Sequence, residues 1–401
     1  MTQTEETAAA PLPAPRQCPY DPPAFYTETR EHGRPRRGTI WDGGEPWLVA
    51  RHDQVKQVLG DPRVGAEVTD PAFPTTDAAQ RRIQGGIFSR MDGHKHLPIR
   101  RILNPDFTVK QAERWRHRIG EVVDEAIDAL GAQPRPADLM KHFALPIPTV
   151  LICELLGVDL ADTPVVARAA ELTPDPAAPR EEKIAAASEL DALLVSYAKR
   201  KQEQPDDRLL SRLVNQHVPS GELTFSEVVR LGMVLVIAGH ETTASMLGLS
   251  ALALLRDPGQ RQKLLSDPGA YAASCAEEML RYWTIVQVEP RRFARQDIEV
   301  GGQAIKGGEG IVCSLAAANR DPSVFTAPEE LDIARPGREH LAFGYGVHQC
   351  LGQNLARIEL QVALPRLFQR LPALSLAVPE EELRFHENHV IYGLHELPVT
   401  W

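Results

Sequence analysis

The sequence predicts a mostly α-helical fold with small β-sheets, an α+β architecture in which the helices dominate. The first observation is a long apolar segment, 225–256, that follows a T-x-x-E capping pattern and ends before Asp257-Pro258. The second is helical periodicity in five other segments: residues 53–60, 110–131, 182–202, 269–283 and about 350–370. The third is a set of strand-like runs around glycine turns at 297–316, with another strand at 47–50.

The long helix is predicted to lie inside the protein. Thr224 and Glu227 are placed so that each side chain satisfies a free backbone N–H group of the other residue. Residues 233–238 are apolar around the whole helix, as in helices enclosed by others. A helix of this length spans about 48 Å, enough to cross a domain.

Composition and charge exclude several classes of protein. The chain has 401 residues, 43 % of them hydrophobic, and a formal net charge of −10, which disfavours nucleic-acid binding. The 5 cysteines include no C-x-x-C pair, so we expect no disulfide framework and a reducing cytoplasm. We find no signal peptide and no apolar run of the ~20 residues that a membrane span needs. Residues 1–16, rich in Ala and Pro, are expected to form a disordered tail.

The strongest chemical signal is the segment from Phe343 to Gly352, which reads FGYGVHQCLG. A lone cysteine such as Cys350 is most often a structural core residue. Here, however, Gly344 and Gly346 permit a tight loop, and the cysteine lies at a predicted helix start that favours a thiolate. A dinucleotide-binding loop is excluded, because the third glycine position of G-x-G-x-x-G is not glycine.

This segment resembles the haem-binding signature F-G-x-G-x-H-x-C-x-G of the cytochromes P450, with every fixed position filled. The resemblance implies that Cys350 is the proximal thiolate ligand of haem iron and that Phe343 shields its sulfur. It also implies that His348 meets a haem propionate. Gly344 and Gly352 would leave room for the flat macrocycle.

The long helix carries the sequence Ala238-Gly239-His240-Glu241-Thr242-Thr243. Such polar residues in an apolar helix are costly unless they are paired or used, although local bonding to the helix backbone is an alternative. The segment is similar to the oxygen-activation motif A-G-x-[D/E]-T-[T/S] of the same family. By that resemblance, Ala238 and Gly239 leave space above the iron, Thr242 hydrogen-bonds bound oxygen, and Glu241 supplies protons through water.

Glu278 and Arg281 lie three residues apart on a predicted helix. In isolation an exposed surface pair of little value is the simpler interpretation. The family resemblance implies instead a buried E-x-x-R pair completed by Arg335, which would hold the loop that presents Cys350.

Four basic residues are expected to bind the haem propionates. The segment 92–101 resembles the family's D-x-x-x-H-x-x-x-R-R helix, which assigns His96 and Arg100 to this role, and Arg292 and His348 match two further positions. Asp92, His94 and His96 also have metal-ligand spacing, so a zinc site, as in a zinc hydrolase, is the alternative.

The resemblance covers residues 17–401, implies one catalytic domain with the triangular-prism fold of the family, and is nearest to its soluble actinomycete branch. It implies haem b, O2 as co-substrate, and NAD(P)H-derived electrons delivered by a separate ferredoxin and ferredoxin reductase to a monomeric enzyme. The docking patch is expected at Arg100, Arg101 and Arg357.

The implied reaction is hydroxylation or epoxidation of a hydrophobic small molecule, in natural-product tailoring or xenobiotic oxidation. Oxidative coupling, nitration, dealkylation, or a non-catalytic haem protein that recruits a partner enzyme are alternatives. Family positions that line the substrate pocket fall mainly on apolar residues, with polar anchors at Gln287, Glu289 and Arg82. These positions are residues 83–88, Val234, Ile237, Ala238, 285–288 and 390–392.

Overall fold

The structure is a computed structural model that describes residues 9–75, 88–386 and 389–401. In these ranges the chain forms 13 α-helices and 11 β-strands. The helices are α1 (Ala24–His32), α2 (His52–Gly60), α3 (Gly93–Leu103), α4 (Val109–Gly131), α5 (Pro146–Leu156), α6 (Thr163–Leu172), α7 (Arg180–Glu203), α8 (Leu209–Arg212), α9 (Phe225–Arg256), α10 (Pro258–Ser266), α11 (Pro268–Trp283), α12 (Leu315–Ala318) and α13 (Gln353–Arg370). The strands are β1 (Ala10–Pro11), β2 (Arg36–Thr39), β3 (Trp47–Val49), β4 (Val64–Gly65), β5 (Ala137–Asp138), β6 (Arg291–Ala294), β7 (Ile298–Val300), β8 (Gln303–Ile305), β9 (Gly310–Cys313), β10 (Ser375–Leu376) and β11 (Pro398–Thr400).

Helix α9 is the central element, and its bounds match the prediction of 225–256. The Thr224 hydroxyl accepts a hydrogen bond from the Glu227 N–H at 3.2 Å, and the Glu227 carboxylate accepts one from the Thr224 N–H at 2.7 Å. The helix packs against α5, α6, α7, α11 and α13. These neighbours explain why a segment so apolar on all sides forms a stable helix in water.

Helix α9 is also the one helix of the described ranges that is long and apolar enough to cross a membrane. More than half of its most apolar window is buried by the surrounding helices. Its burial is therefore that of the core helix of a globular protein.

The two largest apolar clusters meet along α9. The amino-terminal half of the helix, through Val236, packs into one cluster with α5, α6 and α7. The carboxy-terminal half, from Met246 onward, packs into the other with α4, α11 and α13. The residues between Val236 and Met246 therefore lie at the seam of two cores.

The other predicted helices lie within three residues of their expected bounds, at 52–60, 109–131, 180–203, 268–283 and 353–370. The last of them begins at Gln353, after Cys350, and not at the cysteine itself. The reason is that the Cys350 N–H donates to the Phe343 carbonyl at 2.9 Å, which holds this residue in the preceding loop.

Three small sheets complete the fold, with strand orders β1-β2-β3-β9-β6-β4, β10-β11-β5 and β7-β8. In the largest sheet β3 runs parallel to β9, with Trp47 opposite Ile311, and β6 runs antiparallel to β9, with Arg292 opposite Ile311. The predicted strands around the glycine turns are confirmed as β7, β8 and β9. The end of that segment is instead the short helix α12, whose first turn is capped by the Ser314 hydroxyl.

The prediction of a disordered tail is wrong for residues 9–16, whereas residues 1–8 lie outside the described residues. Strand β1 pairs in parallel with β2, and the Leu12 and Ala14 side chains are buried. The Arg16 guanidinium stacks 3.8 Å above the Tyr392 ring. Backbone pairing and a few apolar contacts therefore fix a segment whose composition alone predicts disorder.

Candidate active site

A stripe of accessible side chains interrupts the buried surface of α9 at the seam of the two cores. Ala238 is exposed, and Ile237, Gly239, Glu241 and Thr242 are partly exposed, although buried residues lie before and after them along the helix. Accessible residues at the centre of an enclosed helix mark an internal cleft.

The cysteine loop is shaped by two glycines with positive φ, Gly344 at 71° and Gly346 at 75°. A Cβ on Gly346 would lie 2.6 Å from the Leu59 carbonyl oxygen, so both the backbone angle and the close packing require glycine. The hydrogen bond from the Cys350 N–H to the Phe343 carbonyl then closes the loop just before α13.

Cys350 is accessible in the structure, but its thiol is strongly desolvated. Both properties agree if the sulfur faces an enclosed cleft and not bulk solvent. Desolvation raises the pKa of the Cys350 thiol, against the backbone N–H groups of Gly352 and Gln353 and the charges of Arg100 and Arg357, which lower it. The expected thiolate-stabilising groups are therefore present, although burial opposes them.

The other glycine of the motif, Gly352, also faces open space. A Cβ at this position would meet no described atom within 4 Å. The residue precedes the first turn of α13, next to Cys350. The space beside the cysteine is thus large enough for a flat group to approach the backbone.

Three of the predicted propionate-binding residues, His96, Arg100 and His348, lie close together at the cysteine loop. The His96 and His348 rings lie 4.2 Å apart between centroids, and the Arg100 guanidinium donates to the Gln349 carbonyl at 2.5 Å. His96 is 1 % exposed, yet neither of its ring nitrogens has a partner among the described residues, and the same holds for His348 Nδ1.

Arg292, the fourth basic residue, lies on β6, is buried, and donates to the Arg291 carbonyl at 2.7 Å. Burial, followed by the charges of His348, Arg100 and Arg292, lowers the pKa of His96 to about 4. Buried cationic groups and unpaired nitrogens at one place call for anionic partners. The cluster fits the two carboxylates of haem, and the accessible cysteine beside it fits the iron.

The zinc alternative at Asp92, His94 and His96 is not supported by the geometry. Asp92 accepts hydrogen bonds from the N–H groups of Ala66 at 2.6 Å and Glu67 at 2.9 Å. In the part of the chain that the structure describes, these three side chains do not bring their ligand atoms together.

On α9, the Thr242 hydroxyl donates to the Ala238 carbonyl at 2.7 Å, the local bonding that the sequence left open. The Glu241 carboxylate accepts no hydrogen bond from any described residue. Its nearest basic partner is His389, whose Nδ1 lies 3.7 Å from Glu241 Oε1. The acid and the alcohol therefore both lie on the accessible stripe, and the carboxylate is not committed to a structural hydrogen bond.

Glu278 and Arg281 are almost completely buried and form a two-point ion pair. The Arg335 Nε–H donates to Glu278 Oε2 at 3.0 Å, so the three predicted structural residues meet. Arg281 also donates to the carbonyls of Asn319 and Pro328 at 2.9 and 2.7 Å. The group therefore ties α11 to the chain that leads into the cysteine loop.

A second network, which no sequence motif predicted, surrounds Glu277. Its carboxylate contacts His340 Nε2 at 2.9 Å and accepts from Arg357 Nε at 2.7 Å, and the Arg357 guanidinium stacks 4.6 Å from the Phe343 ring. Although burial opposes it, hydrogen bonds from His340 and Arg357 lower the pKa of Glu277 to about 2. Arg357 is thus an internal anchor of the cysteine loop and not part of a surface docking patch, whereas Arg101 is exposed.

Two of the predicted polar substrate anchors are engaged elsewhere. Glu289 pairs with Arg291 Nη2 at 2.5 Å and Arg90 Nη2 at 2.6 Å, and the Gln287 amide donates to the His389 carbonyl at 2.8 Å. Segments 285–288 and 390–392 do lie side by side, through a bridge between Val286 and Ile391. Arg82 and residues 83–87 lie outside the described residues.

Comparison with known proteins places this arrangement in a family. The family model for cytochrome P450 matches residues 270–395. Cytochrome P450-SU2 of Streptomyces griseolus is 44 % identical over all of both chains. The crystal structure of GfsF superimposes with a TM-score of 0.94 at 40 % identity and covers 98 % of this chain and 100 % of its own.

A ligand-bound structure is also similar. The mycinamicin VIII C21 methyl hydroxylase MycCI of Micromonospora griseorubida, bound to mycinamicin VIII, has a TM-score of 0.89 at 37 % identity and covers 98 % of this chain and 100 % of its own. Identity at this level along the whole chain, together with the cysteine loop and the cleft above it, shows that the chain belongs to the cytochrome P450 family.

Proposed function

We propose that this monooxygenase hydroxylates or epoxidises a hydrophobic small organic molecule, in natural-product tailoring or xenobiotic oxidation, with electrons from a separate ferredoxin and ferredoxin reductase. The observation that carries the proposal is the pair Glu241–Thr242 on the accessible stripe of α9, in a chain whose Cys350 is also accessible. The acid and the alcohol are the groups needed to deliver protons during oxygen activation.

Haem b is the cofactor of the family, and when bound it supplies the iron that activates O2 with NAD(P)H-derived electrons. Cys350 would hold the iron through its sulfur, and His96, Arg100, Arg292 and His348 would hold the propionates. Glu277 and Arg357 keep the cysteine loop in place through their 2.7 Å hydrogen bond.

Glu241 and Thr242 would handle protons in the cleft. The Glu241 carboxylate has no competing hydrogen bond among the described residues, so it can take a proton from water and release it again. The Thr242 Oγ1 is oriented by its bond to the Ala238 carbonyl, which leaves its lone pairs free to accept from water or from a reacting group. The two side chains together connect solvent in the cleft to the reaction centre.

The substrate class follows from the lining of the cleft. Val234, Ile237 and Ala238 are accessible and apolar, and the paired residues Val286 and Ile391, expected to line the same pocket, are partly exposed and apolar too. Glu289 and Gln287 are engaged in the protein's own contacts, so few polar side chains remain to anchor a substrate. The relative MycCI, a methyl hydroxylase solved with mycinamicin VIII bound, supports hydroxylation as the reaction of this chain.

The redox partner would dock on the face that carries the cysteine loop. Tyr345 and Val347 of this loop are exposed, and Arg101 lies exposed on α3. Exposed apolar side chains beside a cation suit a small acidic electron carrier. We further propose that the protein is a cytoplasmic monomer.

The test is reconstitution of turnover with 18O2. Candidate apolar compounds are first screened for a change in the haem spectrum, and those that bind are incubated with a bacterial ferredoxin, its reductase and NADPH. We expect a product that gains one labelled oxygen atom. Turnover in which the product's new oxygen comes from water, or coupled products without added oxygen, would contradict the proposed reaction.

A further inference from the structure

A second group of ligand-type side chains includes Glu241 of the accessible stripe on α9. Glu241 of α9 and two histidines of the carboxy-terminal segment, His386 and His389, each place one donor atom within 4.8 Å of the others. In the described ranges this is the one group of three or more such residues with this spacing.

The Glu241 carboxylate, the acidic member of the group, lacks a hydrogen-bond donor among the described residues. Glu241 is 14 % exposed, accepts no hydrogen bond from a described residue, and has its nearest cation, His389 Nδ1, 3.7 Å away. A carboxylate without a hydrogen-bond donor or a close cation in the protein is open to an external positively charged partner. A bound cation would supply that partner.

His389 is oriented as metal-bound histidines are. Its Nδ1 points to Glu241, while its Nε2 lies 3.3 Å from Asp175 Oδ1, in the segment between α6 and α7. A carboxylate on the second ring nitrogen fixes the tautomer and strengthens the first nitrogen as a ligand. The pair therefore has the carboxylate–histidine arrangement that accompanies metal-bound histidines.

His386 completes the group and is held by other rings. Its ring stacks on His389 with centroids 4.5 Å apart, and His395 meets it edge-on at 4.2 Å. Its Nδ1 is buried and has no partner among the described residues.

We infer that Glu241, His386 and His389 form a binding site for a divalent transition-metal ion, with Zn2+ as the best match. Two imidazole nitrogens and one carboxylate oxygen are a recurring zinc set that leaves a fourth position for water. Tetrahedral coordination at bond lengths of ~2.1 Å brings ligand atoms to about 3.4 Å from one another. Small side-chain rotations therefore suffice to close the present 4.8 Å group.

An ion at this site would occupy the Glu241 carboxylate. It would then withhold that group from proton delivery and slow turnover reversibly. This consequence rests on the role proposed for Glu241 in the reaction, whereas the binding itself does not.

The test is Zn2+ binding to the haem-loaded protein without a histidine tag, measured by competition with a chromophoric chelator. We expect one tight site in the wild type, and at least tenfold weaker binding in His386→Gln, His389→Gln and Glu241→Gln. His395→Gln is the matched control, because it removes a neighbouring ring that is not one of the three ligands. Haem content and circular dichroism of each variant report its folding.

Three results would overturn the site. One is a wild type that binds Zn2+ no more tightly than the double variant His386→Gln/His389→Gln. Another is equal loss of affinity in the control His395→Gln, which would mean that the ion sits elsewhere in the histidine cluster. Retained tight binding in Glu241→Gln would remove the link to the reaction centre and contradict the three-ligand site.

Discussion

The Glu278 carboxylate and the Arg281 guanidinium form two parallel hydrogen bonds, Nε–Oε2 at 2.7 Å and Nη2–Oε1 at 2.8 Å, inside the protein. The Glu278 carboxylate also accepts from the Asp332 N–H at 2.9 Å, on the segment that precedes the cysteine loop. A bidentate pair with this many further partners is costly to break, because each partner would remain buried and unpaired.

We expect Glu278→Gln to destabilise the fold by about 3–5 kcal/mol, because it leaves the Arg281 charge buried without its counter-ion. The measurement is chemical unfolding, together with the haem content of the purified protein. The matched control is Glu113→Gln, which removes a surface pair with Arg116 whose side chains are 49 % and 41 % exposed. That change should cost less than about 1 kcal/mol. Equal costs for the two variants would contradict the structural role of Glu278.

Thr242→Ala should uncouple electron use from product formation, because the hydroxyl that can pass a proton in the cleft is removed. NADPH would still be consumed, and most of the reducing equivalents would appear as hydrogen peroxide. Thr242→Ser keeps the hydroxyl and should stay close to the wild type. The measurement is the ratio of product to NADPH in the presence of a substrate, and an unchanged ratio in Thr242→Ala would exclude the proton-delivery role.

His96→Gln should weaken haem binding by about 10–100-fold, since a charge-assisted hydrogen bond to a carboxylate is worth roughly 1.5–3 kcal/mol. The measurement is the rate at which haem transfers to apomyoglobin. His94→Gln is the control, because His94 lies exposed on the same helix. If both variants lose haem equally slowly, His96 does not hold a propionate.

Glu359 is predicted to make stability depend on pH. This buried residue of α13 has an Oε2 atom without a described partner, and burial raises its pKa to about 8 from 4.5. The folded protein therefore holds the proton more tightly than the unfolded chain, so this residue lowers stability as pH rises from about 4.5 to 8, by on the order of 4 kcal/mol.

Glu359→Gln removes this dependence and should be more stable than the wild type at pH 8, with little difference near pH 5. The measurement is the free energy of unfolding of both proteins across that range. If the unfolding free energies of the two proteins differ by the same amount at every pH, Glu359 does not carry a buried proton.

The features that the sequence predicted well have local signals. Helix α9 begins at a capping box and ends before an Asp-Pro pair, and both boundaries appear in the structure as expected. The cysteine loop is likewise a contiguous motif. In it Gly344 and Gly346 adopt positive φ angles, which glycine permits because it has no Cβ.

The features that it missed depend on distant contacts. Glu277 meets His340 and Arg357, which lie 63 and 80 positions along the chain, so no local pattern reveals its partners. The approach of His389 to Glu241 has the same cause, because the carboxy-terminal segment returns to α9 only in the folded protein. Strand β1 was missed because its order comes from pairing with β2, not from its own composition.

The most direct test of the account is the reduced, carbon-monoxide-bound difference spectrum of the purified protein, compared with that of Cys350→Ala. We expect the red-shifted Soret band typical of thiolate-ligated haem in the wild type and its loss in the variant. A wild-type spectrum typical of histidine-ligated haem, or a thiolate band that persists in Cys350→Ala, would contradict the assignment of Cys350 as the iron ligand.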